Sequence, residues 1–120
     1  MMKIVKIDFP TSLSSLEDIE DDNIDVFVEL DDGYSYTIVV TTPKNLISMM
    51  ESEGIEYNPA LPPMVIVKKL TEENIKNALE TYLENQAYWL KYYFLAGEIN
   101  IELMNEMLRR IKMENDDLLG

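Results

Sequence analysis

The sequence contains no cysteine and no histidine. The first absence excludes disulfides, thiolate nucleophiles, zinc ribbons and iron–sulfur clusters outright. The second removes the commonest general acid/base and the commonest ligand of zinc, copper and haem iron, so any chemistry would fall to carboxylates, Lys, Tyr, Ser or Thr. Glycine is scarce too. The four that occur are scattered at 33, 54, 97 and 120, which leaves no material for a phosphate-cradling loop, and no Ser-centred elbow is present. Acidic pairs abound, but none has a spacing that singles it out, so no catalytic residue, resident metal or cofactor is expected. No stretch approaches the roughly 18 uncharged apolar residues of a membrane span. Met1 to Lys6 includes basic residues, but Asp8 and Pro10 interrupt it before an apolar signal region develops, and the expected location is cytoplasmic.

Positive charge is the other shortage: ten Lys and Arg stand against 23 Asp and Glu, a net charge of −13 at pH 7. Phosphate recognition relies on Lys and Arg displacing counterions, so nucleic acid and anionic membranes are poor partners, and basic proteins or cations are better ones. What is present suits a folded chain, with 47% apolar residues in 120, the usual size of one domain. A single α+β domain is expected over 1–114, with 115–120 as a frayed tail.

Val5, Ile7 and Phe9 alternate with polar residues up to Pro10, which predicts a first strand. Thr11 to Asn23 reads as a loop with a short helix. Ile24, Val26, Val28 and Leu30 alternate in the same way, and after Asp31-Asp32-Gly33 the pattern resumes through Tyr36, Ile38 and Val40. That is a hairpin, with glycine supplying the positive φ of the turn. Thr42-Pro43 reads as an N-cap and first-turn proline for a short helix carrying Leu46, Ile47, Met49 and Met50 and ending near Gly54. The proline-bearing stretch 56–63 reads as loop, and Met64 to Val67 as a strand buried on both faces or lying mid-sheet. From Thr71, a second N-cap, an apolar stripe through Ile75, Leu79, Leu83, Leu90 and Tyr93 predicts one helix to Gly97. Asn100 caps another, with Leu103, Met104, Met107, Leu108 and Ile111 as its buried face. The expected order is β-β-β-α-β-α-α: a small, mainly antiparallel sheet with a C-terminal helical hairpin packed on one face. The methionines are expected to fill the core, since each lies on an apolar stripe.

Two constellations carry functional content. The ten acids from Asp8 to Asp32 are interrupted by no base, and Asp21, Asp22, Asp25, Glu29, Asp31 and Asp32 are the candidate contacts for a basic partner; a solvated face serving only solubility is the alternative. Asp21, Asn23, Asp25, Glu29 and Asp32 also fall at positions one, three, five, nine and twelve of an EF-hand-like calcium register, although Val26 occupies its glycine position. The second constellation is aromatic. Tyr82, Tyr88, Trp89, Tyr92, Tyr93 and Phe94 crowd one helix, and if Leu90, Tyr93 and Phe94 face inward, Tyr88, Trp89 and Tyr92 are candidate interface anchors. A helix sandwiched between the sheet and the last helix would bury them instead.

The short acidic pattern around Ile24-Asp25-Val26-Phe27-Val28-Glu29-Leu30-Asp31-Asp32-Gly33-Tyr34 resembles the small acidic immunity proteins of bacterial toxin systems, and uncharacterised bacterial proteins of similar size. The resemblance implies a stoichiometric, non-catalytic inhibitor of a basic partner, often a toxin nuclease. An allied reading is a nucleic-acid mimic whose carboxylates stand in for phosphates. Other classes compatible with the sequence are a calcium- or magnesium-binding module, a carboxylate enzyme and a homo-oligomeric structural protein pairing through its aromatic face.

Overall fold

The computed structural model describes residues 2–61 and 63–119. Four strands, β1 (Ile4–Asp8), β2 (Asn23–Leu30), β3 (Ser35–Thr41) and β4 (Val65–Ile66), form one sheet in sequential order. The first three are antiparallel and β4 runs parallel to β3. The helices are α1 (Pro43–Glu53), α2 (Glu72–Tyr82), α3 (Glu84–Glu98) and α4 (Ile101–Leu119). The α+β class, the mainly antiparallel sheet and the C-terminal helical segment are as the sequence predicts.

Period-two patterning sets the sheet. Ile24, Val26, Val28 and Leu30 of β2 and Tyr36, Ile38 and Val40 of β3 all point to one buried face. Ile75 and Leu79 of α2, Leu83 at the junction and Ala87 and Leu90 of α3 close over that face. The hairpin turns at Asp31-Asp32-Gly33, where Gly33 takes φ 88° and donates to the Leu30 carbonyl, while Leu30 N–H donates to Tyr34. This is a three-residue loop with glycine in the left-handed position. β4 covers only the end of β3. Farther along that edge, Val39 N–H donates instead to the Tyr93 hydroxyl of α3 at 2.7 Å.

Both predicted threonine caps are present. Thr42 Oγ1 accepts from Asn45 N–H and Thr71 Oγ1 from Asn74 N–H. α1 nonetheless buries no residue; polar bonds fasten its first turns, with Thr41 Oγ1 donating to Asn45 and Thr42 Oγ1 to the Glu20 carbonyl. Its Met49 and Met50 are half-buried, and among the described residues no methionine belongs to the buried core, which branched aliphatics fill. β4 is an edge strand whose Ile66 is exposed, where the apolar run suggests a central one. The stretch 56–63 contains no helix or strand among its described residues, Pro62 lying outside them.

The largest departures lie in the C-terminal half. The continuous helix expected over 71–97 is two, divided by Asn85, Gln86 and Ala87, which hold φ of 54°, 59° and 60°. Three successive left-handed residues break the helix there, and α2 and α3, on either side of the break, together cover the sheet. α4 does not pack back onto them. Every described side chain from Ile101 to Leu118 is exposed, including the Leu103, Met104, Met107, Leu108 and Ile111 stripe expected to be buried. The helix also continues through Leu119, where fraying is expected from residue 115. The radius of gyration, 17.6 Å, exceeds the roughly 14 Å of a compact chain of this length, because α4 projects from the domain.

Candidate functional site

Alternation along β2 places Asp25 and Glu29 on the face away from the helices, flanking an exposed Phe27. The β1 register brings Lys6 opposite Glu29 and Asp8 opposite Phe27, and Lys6 pairs with Asp8 at 3.4 Å. Both partners are solvated, so the pair adds little stability.

Asp31 and Asp32 occupy the hairpin turn. Asp31 Oδ1 accepts from Lys3 N–H at 3.1 Å, and Asp32 Oδ1 from Tyr34 N–H at 2.9 Å. Asp21 and Asp22 lie at the opposite end of β2. Asp21 accepts from Asn45 Nδ2 and Ser48 Oγ, which sets its charge beside the N-terminal turns of α1, where the helix dipole favours an anion. Asp22 accepts from Asn23 N–H. Asp18 belongs to the same structural group: the Glu20 N–H it accepts, aided by Lys44, holds its carboxyl below the usual value. The acidic run therefore divides into a turn-end pair, a sheet-face pair and a loop group tied to α1.

This division overturns the calcium register. Asn23, Asp25 and Glu29 sit on an extended strand, and the eight residues of β2 span about 26 Å, with Asp21 and Asp32 beyond its two ends. Their oxygens cannot converge on one ion, and among the described residues no group of three or more acids is close enough to hold a metal.

Tyr88, Trp89 and Tyr92 are 52, 57 and 53% exposed, so the aromatic helix is not sandwiched. Leu90 is fully buried and Tyr93 half-buried against the sheet, while Phe94 meets Tyr36 edge-to-face at 5.4 Å. The outward rings order one another, since Trp89 contacts Tyr88 and Tyr92 in edge-on geometry at 5.3 and 5.8 Å.

The fold joins part of the acidic set to the aromatic strip. A depression lined by Met2, Asp31, Asp32, Leu83 and Glu84 extends to Asn85 and Gln86, and these two also line the next depression with Tyr88, Lys91, Tyr92 and Leu95. Asp31, Asp32, Glu84, Tyr88 and Tyr92 thus border one continuous surface at the hairpin end, with Trp89 against its aromatic edge. Asp25 and Glu29 lie on the far face of the sheet, and Asp21 and Asp22 at the α1 end. Glu84, Lys91 and Leu95 were not legible as members of this surface, because the left-handed bend that brings them there has no Gly or Pro to announce it; Asn85, a residue type that tolerates the conformation, was the one available signal.

A second groove of about 240 Å³, lined by Tyr34, Tyr36, Lys91, Phe94 and Leu95, runs beside the β3 edge. No helix among the described residues is long and apolar enough to cross a membrane. Comparison with protein-family models, with curated proteins and with solved structures finds no match.

Proposed function

We propose that this chain is a non-catalytic protein-binding module that takes a basic protein partner, in the manner of an immunity protein blocking a toxin nuclease, at the hairpin end of the domain. The observation that carries this reading is the continuity of Asp31, Asp32 and Glu84 with the exposed Tyr88 and Tyr92 across Asn85 and Gln86, with Trp89 packed edge-on against both rings. Acidic residues beside ordered, exposed aromatics combine the two requirements of such a site. The charges steer a basic partner and speed encounter, and the rings provide anchors that gain most when desolvated. Asp25 and Glu29 then contribute to the long-range field, and Asp21 and Asp22 to the integrity of the loop. The acidic surface supports a protein partner in preference to nucleic acid.

The test is retention of partners from native lysate on the tagged protein at low salt, followed by titration calorimetry with the purified captured protein. One basic protein bound stoichiometrically is expected, with affinity falling steeply between about 50 and 500 mM salt. Asp31→Asn with Asp32→Asn should chiefly slow association, and Trp89→Ala should chiefly speed dissociation, weakening binding by about 2 kcal/mol. A partner whose affinity ignores all three substitutions excludes the hairpin end as its site.

A further inference from the structure

α4 is the part of the molecule whose stability its own chain does not explain. A helix of 19 residues in water draws most of its stability from burying one face, yet none of its described side chains is buried. Its local support is slight: Asn100 Oδ1 caps it by accepting from Leu103 N–H at 2.8 Å, and Arg109 pairs with Glu106 on the surface. Meanwhile Ile101, Met104, Leu108, Ile111, Asn115 and Leu118 recur at alternating spacings of three and four, the a and d positions of a seven-residue repeat. An apolar seam of this kind, left in solvent, marks an interaction surface.

We propose that α4 pairs with α4 of a second copy as an antiparallel two-helix seam. Aligning residue i with residue 219 − i places Ile101 on Leu118, Met104 on Asn115 and Leu108 on Ile111, each layer occurring twice about the two-fold axis, so the whole helix is used. Area supports a second copy as the occupant. The five apolar seam residues and the flanking Met107 are 41 to 85% exposed; at roughly 100 Å² each, two copies bury on the order of 1,200 Å², the lower edge of specific interfaces.

The outward helix α3 is too short to cover this seam. α4 is about 28 Å long, whereas the right-handed part of α3, from Tyr88 to Glu98, is about 16 Å. An anionic membrane is disfavoured by the charge of −13, since interfacial helices rely on a Lys- and Arg-rich polar face. The same charge sets the orientation. Parallel pairing would hold two strongly acidic domains side by side, whereas antiparallel pairing separates them by about the length of α4, several times the ~8 Å screening distance in physiological salt. The inference is independent of the proposed partner site, because it uses neither the hairpin acids nor the α3 aromatics.

Sedimentation equilibrium of the full chain over about 1 to 200 µM tests the pairing. A mass approaching twice 13.9 kDa is expected, and Leu108→Glu should raise the dimer dissociation constant about thirtyfold or more. Because that side chain is exposed, the urea midpoint of the sheet core should stay unchanged in the variant. A monomer at every concentration overturns the proposal, as does a dimer indifferent to Leu108→Glu. Orientation is read by mixing Met104→Cys chains with Asn115→Cys chains under mild oxidation, each having a single thiol in this cysteine-free sequence. Cross-links between the two kinds of chain are the expected product, and cross-links only within each kind overturn the antiparallel arrangement.

Discussion

Single side chains join parts of this molecule that secondary structure leaves separate. Thr42 is fully buried, and its hydroxyl both caps α1 and donates to the Glu20 carbonyl at 2.6 Å. Thr42→Val should destabilise the domain by about 1–2 kcal/mol in urea unfolding, leaving one helix donor and one loop acceptor unmet. The capping role was legible from Thr42-Pro43, whereas the bond to Glu20 was not, because it depends on how the acidic loop returns to the sheet.

Tyr93 is the second such residue. Burial pushes its phenol above the ordinary 10.0, with the Val39 N–H acting in the opposite direction and the Asp25 charge and Tyr82 adding to the rise. Between that ordinary value and the higher folded one, the native chain keeps a proton that the unfolded chain has lost. Stability is therefore undiminished below pH 10 and declines as pH rises beyond it. Tyr93→Phe should cost about 1 kcal/mol at pH 7 and make the alkaline decline shallower, with Tyr36, raised mainly by its own burial, retaining its share. Urea midpoints at neutral and alkaline pH check both effects.

At the scale of elements, strain concentrates between α2 and α3. A left-handed residue other than glycine costs about 1 kcal/mol, and Gln86 pays that cost while its side chain is exposed. Gln86→Gly should therefore stabilise the protein by about 1 kcal/mol, read as a higher urea midpoint with unchanged slope. A lower midpoint would mean that the chain runs through this junction as right-handed helix. The same junction shows where sequence patterning stops being informative. β2 and β3 were legible because a period of two fixes which side chains share a face. The apolar stripe over 71–97 does not reveal that the helix breaks at residue 85, since Ala87 and Leu90 still reach the core after the break. The stripe of α4 is the plainest case: a helical period says that a face is apolar and nothing about what covers it.

For the whole molecule, the excess of acids sets the behaviour. Their mutual repulsion opposes compaction, so raising sodium chloride from about 20 to about 500 mM should stabilise the fold by on the order of 1 kcal/mol in urea unfolding. An unchanged midpoint would show that the acids are too well separated to strain the domain. The charge balance was fully legible in the sequence. Its division into turn, sheet-face and loop groups was not, because that depends on strand register and on the bonds that fasten Asp21 to α1. The single tryptophan of the chain happens to stand in the aromatic strip beside the hairpin end and outside the α4 seam. The protein thus has its one tryptophan in only one of the two proposed binding surfaces. Trp89 emission should shift to the blue when a partner desolvates the hairpin end and stay unmoved when two copies associate through α4, so one unlabelled titration can tell the two events apart.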